Sequence, residues 1–285
     1  MKATLQQIIK NVGDDTTLLD VQSVSGGSVS QAYRVQTKEN IYFIKYNPNV
    51  PEDFFEKERD GLMRLKRSGA ISVPTVYAHK ESYIAMEWVS GARKKETETL
   101  LGRGLAELHQ CTRDTFGLDV DNYIGKLPQP NNEEENWLTF YKKHRLGFQM
   151  ELALKRDVLP KVRREKLERL LDSLHRFLPA HSVPSLLHGD LWGGNWITGD
   201  AGIPYFIDPA VFYGEREMEL AFTELFGGFS QTFYDAYEEI SPLPPEFEER
   251  KPLYQLYYLL VHLNLFGETY GPSVDRVLDY YVGSK

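Results

Sequence analysis

Between His188 and Asp208 the chain sets two carboxylates and an amide at a spacing suited to moving a phosphoryl group. The run His188-Gly189-Asp190-Leu191-Trp192-Gly193-Gly194-Asn195 is followed by Ile207-Asp208-Pro209. Phosphoryl transfer to an alcohol needs a carboxylate to take the hydroxyl proton, and hard oxygen donors to hold magnesium against the β- and γ-phosphates. Asp190 is the candidate base, and Asn195 and Asp208 are the candidate metal ligands. The competing reading is a glycine-rich turn whose Asp and Asn only cap local amides. His188, the glycines and Asp208 together weigh against it.

The flanking sequence predicts how these groups converge. Ser182-Val183-Pro184 ends any preceding helix, because proline lacks an amide hydrogen and disfavours helical geometry in its neighbour. Gly189, Gly193 and Gly194 permit a tight turn. Trp196-Ile197 and Tyr205-Phe206-Ile207 read as paired strands joined by a turn at Asp200-Ala201-Gly202, which carries Asn195 and Asp208 to neighbouring positions. The step of five from Asp190 to Asn195 is that from base to metal-binding amide in kinase catalytic loops, with Gly189 where those loops carry Arg.

A kinase requires further parts upstream, and they occur in order. Ser25-Gly26-Gly27-Ser28-Val29-Ser30 lies between the predicted strands Leu18–Val21 and Ala32–Val35, so Gly26, Gly27 and Ser28 are candidates for backbone contact with phosphates; a plain hairpin turn is the alternative. In the predicted strand Ile41–Tyr46 a period of two puts Lys45 on the face of Ile41 and Phe43, an apolar interior where an ammonium needs an anion. A helix predicted over Pro51–Ser68 places Glu58 with Leu62 and Leu65. Pairing Lys45 with Glu58 satisfies both charges and aims the ammonium at ATP phosphates, with Glu56 the second choice of partner. Met86, Glu87, Trp88 and Val89 follow a predicted strand and are candidates for the segment that joins two lobes and meets adenine.

These residues resemble the fructosamine kinase (ketosamine 3-kinase) family, within the aminoglycoside-phosphotransferase-like, protein-kinase-like superfamily. The likeness runs from about Gly26 to about Tyr281. Its specific marks are Leu187 to Asn195 and Asp208-Pro209-Ala210-Val211-Phe212-Tyr213-Gly214. Phe116 to Gly125 with Pro128-Gln129-Pro130-Asn131, and Leu225-Phe226-Gly227-Gly228-Phe229, are similar to further family blocks. The resemblance implies an α+β two-lobed fold and ATP- and Mg2+-dependent phosphorylation at O3 of a ketosamine such as fructosamine or ribulosamine, free or on a glycated protein. Glu215 and Glu219 depart from the His and Asp expected there, which leaves the bracing of the catalytic loop open. Some relatives, notably in plants, carry a cysteine where Ser28 stands, so thiol control is not expected at that point. Trp192, Arg216 and Glu217 are candidates for acceptor binding; Arg216 and Glu217 could equally form a salt bridge, and Trp192 could stack on a sugar or pack beneath the loop. A kinase of the aminoglycoside or choline type, or a catalytically silent nucleotide-binding protein, are the alternative functions.

Composition narrows the setting. A chain of 285 residues with 41% apolar content has ample material for a core. The division expected is an N-terminal nucleotide-binding lobe over residues 1–87, with a leading helix, five strands and the Glu58 helix, and a mainly helical catalytic and substrate-binding lobe over residues 88–285. Helical periods cover Leu101 to His109, Glu134 to Leu154, Lys161 to Leu178 and the region of Leu253 to Leu260. The net charge of −8 opposes nonspecific nucleic-acid binding. No apolar run nears the roughly 18 residues of a membrane span. Cys111 is the only cysteine, so no internal disulfide can form and a reducing compartment is expected. A cytoplasmic location and a monomer are expected as well. His109, His144 and His262 sit singly, without ligand spacing, and are expected to be structural. The run Glu133-Glu134-Glu135 is expected to support a helix N-terminus.

Overall fold

Gln31–Gln36 (β2) buries Ala32 and Val35, and Ile41–Tyr46 (β3) buries Tyr42, Ile44 and Lys45; the period of two sends successive side chains to opposite faces, and both faces of these strands are covered. With Asp20–Val24 (β1) these strands form an antiparallel meander, and Val76–Lys80 (β4) and Tyr83–Glu87 (β5) complete a five-stranded sheet in the order β1-β2-β3-β5-β4. The computed structural model describes residues 1–24, 29–179 and 181–283. Gly26, Gly27 and Ser28 therefore lie outside the described residues. The helix Lys2–Val12 (α1) buries Leu5, Ile8 and Ile9 against one face of the sheet, where Tyr42 and Ile44 point. Phe54–Ser68 (α2) packs against the other face, to which Phe43 and Lys45 turn.

The rest of the chain is mainly helical. Thr97–His109 (α3) precedes a small hairpin, Asn122–Ile124 (β6) with Leu127–Gln129 (β7). Trp137–Phe140 (α4) runs through a π-helical stretch, Tyr141–Gly147, into Phe148–Lys155 (α5), and Lys161–Ser173 (α6) follows. Ser185–Leu187 (β8) pairs with Phe212–Gly214 (β11), and Trp196–Thr198 (β9) pairs with Pro204–Phe206 (β10). Arg216–Leu225 (α7), Gln231–Glu238 (α8), Phe247–Phe266 (α9) and Gly271–Val282 (α10) complete the lobe. Leu101, Leu105, Leu187, Phe212, Phe222 and Leu260 belong to one core shared by these elements. Among the described residues no helix is long and apolar enough to cross a membrane.

Three local expectations are corrected. The helix expected from Glu134 begins only after Asn136, whose side chain accepts the Thr139 amide and so caps the first turn. Glu134 instead exchanges backbone hydrogen bonds with Phe116, and its carboxylate holds Lys143 and His144 while Glu133 pairs with Arg113. The acidic run therefore ties segments together rather than serving a helix dipole. The helix expected to reach Leu178 ends at Ser173 and tightens into a 3-10 turn over Leu174–Arg176.

Candidate active site

The loop after β8 is held from behind by one buried carboxylate. Glu219, on α7, accepts the His188 amide at 2.9 Å and the Gly189 amide at 2.6 Å, and meets His109 Nε2 at 3.1 Å. Burial raises its proton affinity, but these donors outweigh that and keep the carboxylate charged. His109 Nδ1 lies 2.8 Å from the Tyr237 hydroxyl, which accepts from Arg216 at 3.0 Å. A buried line from Arg216 through Tyr237 and His109 thus ends on the loop brace, and the longer arm of Glu219 reaches both amides.

His188 fixes the other side of the turn. Its ring accepts the Asp190 amide at Nδ1 (3.2 Å) and donates from Nε2 to the Ile207 carbonyl (2.8 Å). Burial lowers its pKa and favours the neutral ring that this pattern requires. Gly189 has φ +86°, and a Cβ there would stand 2.0 Å from the Ala210 carbonyl oxygen. Only glycine fits. The Ala210 amide in turn donates to the His188 carbonyl at 2.8 Å, so the segment after Asp208 lies directly beside the turn.

These contacts bring Asp190, Asn195 and Asp208 together. Asn195 donates from Nδ2 to the Asp190 carbonyl (2.7 Å) and carboxylate (3.1 Å), while its own carbonyl accepts the Ile207 amide at 3.0 Å. Burial and the charge of Asp208 push the Asp190 carboxyl up to about 8 against the hydrogen bond from Asn195. Lys45 Nζ donates to Glu58 at 2.7 Å and also to Asp208, and the pull of the two carboxylates keeps the ammonium protonated despite burial. Glu56 is exposed and meets Arg59 instead.

Lys45, Glu58, Asp190, Asn195 and Asp208 open on one cleft of about 920 Å³, a size suited to a small-molecule pair. Met86, Glu87, Trp88 and Val89 line it, as do Phe43 and Ile197. Trp88 and Val89 follow directly on β5, at the point where the chain passes from the sheet to the helical lobe. Trp192 also lines the cleft, 41% exposed, with its indole laid against Gly194. Gly193 and Gly228 approach so closely that a Cβ on Gly228 would stand 2.6 Å from the Gly193 Cα, which sets Phe226 beside the loop as a further wall. Tyr123, His262, Phe266 and Tyr270 also line the cleft, and sequence reasoning did not single them out as binding residues.

Arg216 and Glu217 do not line the cleft, nor do they pair with each other. Arg216 donates to Tyr237 and to the carbonyls of Ser241 and Pro242, and Glu217 forms a two-point bridge with Arg250. The expectation of acceptor contact from these two is corrected: both are turned away by partners on α8, α9 and the loop between them.

The donor set suits a hard cation. Asn195 Nδ2 is committed to Asp190, leaving Oδ1 available beside the Asp208 carboxylate. Among the described residues no group of three or more His, Cys, Asp or Glu could enclose a metal. A cation here would depend on few protein oxygens and on phosphate oxygens, the mode typical of Mg2+ in nucleotide sites.

The family model described as fructosamine kinase matches residues 1–283. The chain belongs to the fructosamine kinase family. It is 45% identical over 266 residues to "Probable ketoamine kinase" of Enterococcus faecium, across 90% of this chain and 94% of that one. To the chloroplastic protein-ribulosamine 3-kinase of Oryza sativa subsp. japonica it is 37% identical, across 98% and 83%. A solved structure from Thermobifida fusca, assigned as a fructosamine-3-kinase, superposes with a TM-score of 0.89 at 30% identity over the full length of both chains. This member is a kinase of the two-lobed α+β fold.

Proposed function

We propose that this fructosamine kinase family member transfers the γ-phosphoryl group of ATP to O3 of a ketosamine, carried on a small amine or a glycated protein, in a cytoplasmic setting. The observation that carries the reading is the meeting of Asp190, Asn195, Asp208 and the Lys45–Glu58 pair on one cleft, in a chain whose relatives are named for ketoamine and ribulosamine phosphorylation. The nucleotide would lie between lobes that part after Glu87, with its base against Met86 to Val89. Lys45 would leave Asp208 for the α- and β-phosphates while Glu58 keeps it aligned.

Asp190 faces the acceptor end. Its carboxylate would orient the substrate hydroxyl and receive the proton as the new P–O bond forms and the β–γ bridge to ADP breaks. Burial and the charge of Asp208 raise the proton affinity of that carboxylate, which strengthens it as a base whenever it is ionised. Magnesium, held by Asn195 Oδ1, Asp208 and phosphate oxygens, would neutralise the β- and γ-phosphates. Trp192, half-exposed on the cleft, would stack on the sugar.

The test is product analysis by phosphorus and proton NMR after incubation with Mg-ATP and fructosyl-lysine or ribulosyl-lysine. Phosphate on C3 is expected. Phosphate on another carbon, or turnover only with kanamycin or choline, would overturn the assignment.

A further inference from the structure

Arg145 is a buried cation that the chemistry above does not use. It is fully buried, makes no ion pair among the described residues, and its Nε lacks a hydrogen-bond partner. Two aromatic faces receive it, Phe212 at 3.9 Å and Phe140 at 4.5 Å, and Nη1 donates to the Pro130 carbonyl at 2.8 Å. It sits in the π-helical stretch Tyr141–Gly147, where Lys142 and Lys143 stay exposed and Arg145 turns inward. Such stretches are uncommon and concentrate at functional places.

From Arg145 a chain of amides leads to the segment after Asp208. Nη2 donates to Asn131 Oδ1 (2.8 Å), Asn131 Nδ2 donates to Asn122 Oδ1 (2.8 Å), and Asn122 Nδ2 donates to the Val211 carbonyl (2.8 Å). A branch joins it: the Tyr257 hydroxyl donates to Gln129 Oε1 (2.7 Å), and Gln129 Nε2 reaches Asn122 Oδ1 (2.8 Å) and the Ala210 carbonyl (3.0 Å). An Asn amide can turn over and a hydroxyl can give or take, but guanidinium only donates. Arg145 therefore sets the direction of the line. If Asn131 turned over, Asn122 would present its oxygen to the Val211 carbonyl, and the two would repel.

The far end of the line lies two and three residues beyond Asp208, whose φ is +56°. A side chain held in that backbone region persists only where its surroundings over-determine it. We propose that Arg145 is a positioning residue for Asp208, acting through Asn131, Asn122 and Gln129 on the carbonyls of Ala210 and Val211. The inference rests on the reading of Asp208 as a cation ligand.

Calorimetry of ATP binding with Mg2+ and with EDTA, on the whole protein, tests it. Arg145→Met should raise the Mg2+ concentration at half-saturation about tenfold while the metal-free nucleotide Kd changes less than about twofold, and Arg145→Lys, which keeps a charged donor, should recover part of the loss. Asn131→Asp separates positioning from folding. It gives Arg145 an ion-pair partner, which offsets the loss of the donor to Asn122 and to the Val120 carbonyl, so the variant should stay folded with a melting temperature above that of Arg145→Met, yet it should produce the same Mg2+ shift. Asp208→Ala is the control and should abolish the difference between the two conditions. If that control leaves the Mg2+ dependence intact, the reading of Asp208 fails and this inference with it. If it abolishes the dependence while Asn131→Asp binds as wild type, the inference alone is overturned.

Discussion

Asp190 carries two consequences of its surroundings. As general base it should matter by roughly 10²–10⁴-fold in turnover, so Asp190→Asn is expected to lose that much kcat in a coupled ADP-release assay. Its proton is also linked to stability. A carboxyl raised from 3.8 to about 8 holds its proton more tightly folded than unfolded, so stability falls as pH climbs from near 4 and levels off above 8. Asn at this position has nothing to lose. The melting temperature of Asp190→Asn should therefore gain on wild type between pH 5 and pH 8, by at least about 1 kcal/mol of unfolding free energy. A gap that stays constant with pH would show that the carboxyl is not held up in this way.

At the scale of elements, one helix governs one loop. The Glu219 side chain on α7 receives two backbone amides from the turn after β8, and each buried donor left unpaired costs about 1–3 kcal/mol. Glu219→Gln keeps the length but turns one acceptor into a donor facing another donor. The expected outcome is a loss of about 2 kcal/mol in denaturant unfolding, together with at least a tenfold fall in kcat, because the same turn carries Asp190. A stable, fully active variant would mean that the turn holds itself. The Glu219 oxygen that takes the His188 amide also meets His109 Nε2 at 3.1 Å, so the histidine anchors the brace.

Across the whole molecule, besides the Lys45–Asp208 contact and the Phe206 amide on the Ser72 carbonyl, two side-chain links of α2 and its N-terminus tie the lobes together among the described residues. The Tyr123 hydroxyl, on β6, donates to Asp53 at 2.7 Å just before α2, and Arg64 on α2 bridges Asp119 at 2.7 and 2.9 Å. The second is the weaker link, because Asp119 is 58% exposed at its side chain and solvent screens the pair. Tyr123→Phe should cost about 1 kcal/mol in urea unfolding, independent of salt. Arg64→Ala should cost less than that, and its effect should fade as salt rises. Since α2 carries Glu58, both links also hold the Lys45 partner against the half of the cleft that contains Asp190.

Much of this protein was legible in its sequence because local rules act over a few residues. The alternation in Ile41–Tyr46 aims Lys45, the spacing in α2 aims Glu58, and the glycines around Asp190 with the β9–β10 hairpin return Asn195 and Asp208 to one place; each depends on a period or a turn written in adjacent residues. Single residues whose partners come from distant elements were not legible. His109 is a lone histidine on an apolar stripe, Arg145 a charge inside what reads as an ordinary helix, and Arg216 and Glu217 lie beside a motif but point elsewhere. The amino-acid order by itself determined the elements and the chemistry they present. Only the tertiary structure decided which buried charges brace the loop and which side chains wall the acceptor end, because those pairings join residues as many as 128 positions apart, and no local periodicity records them.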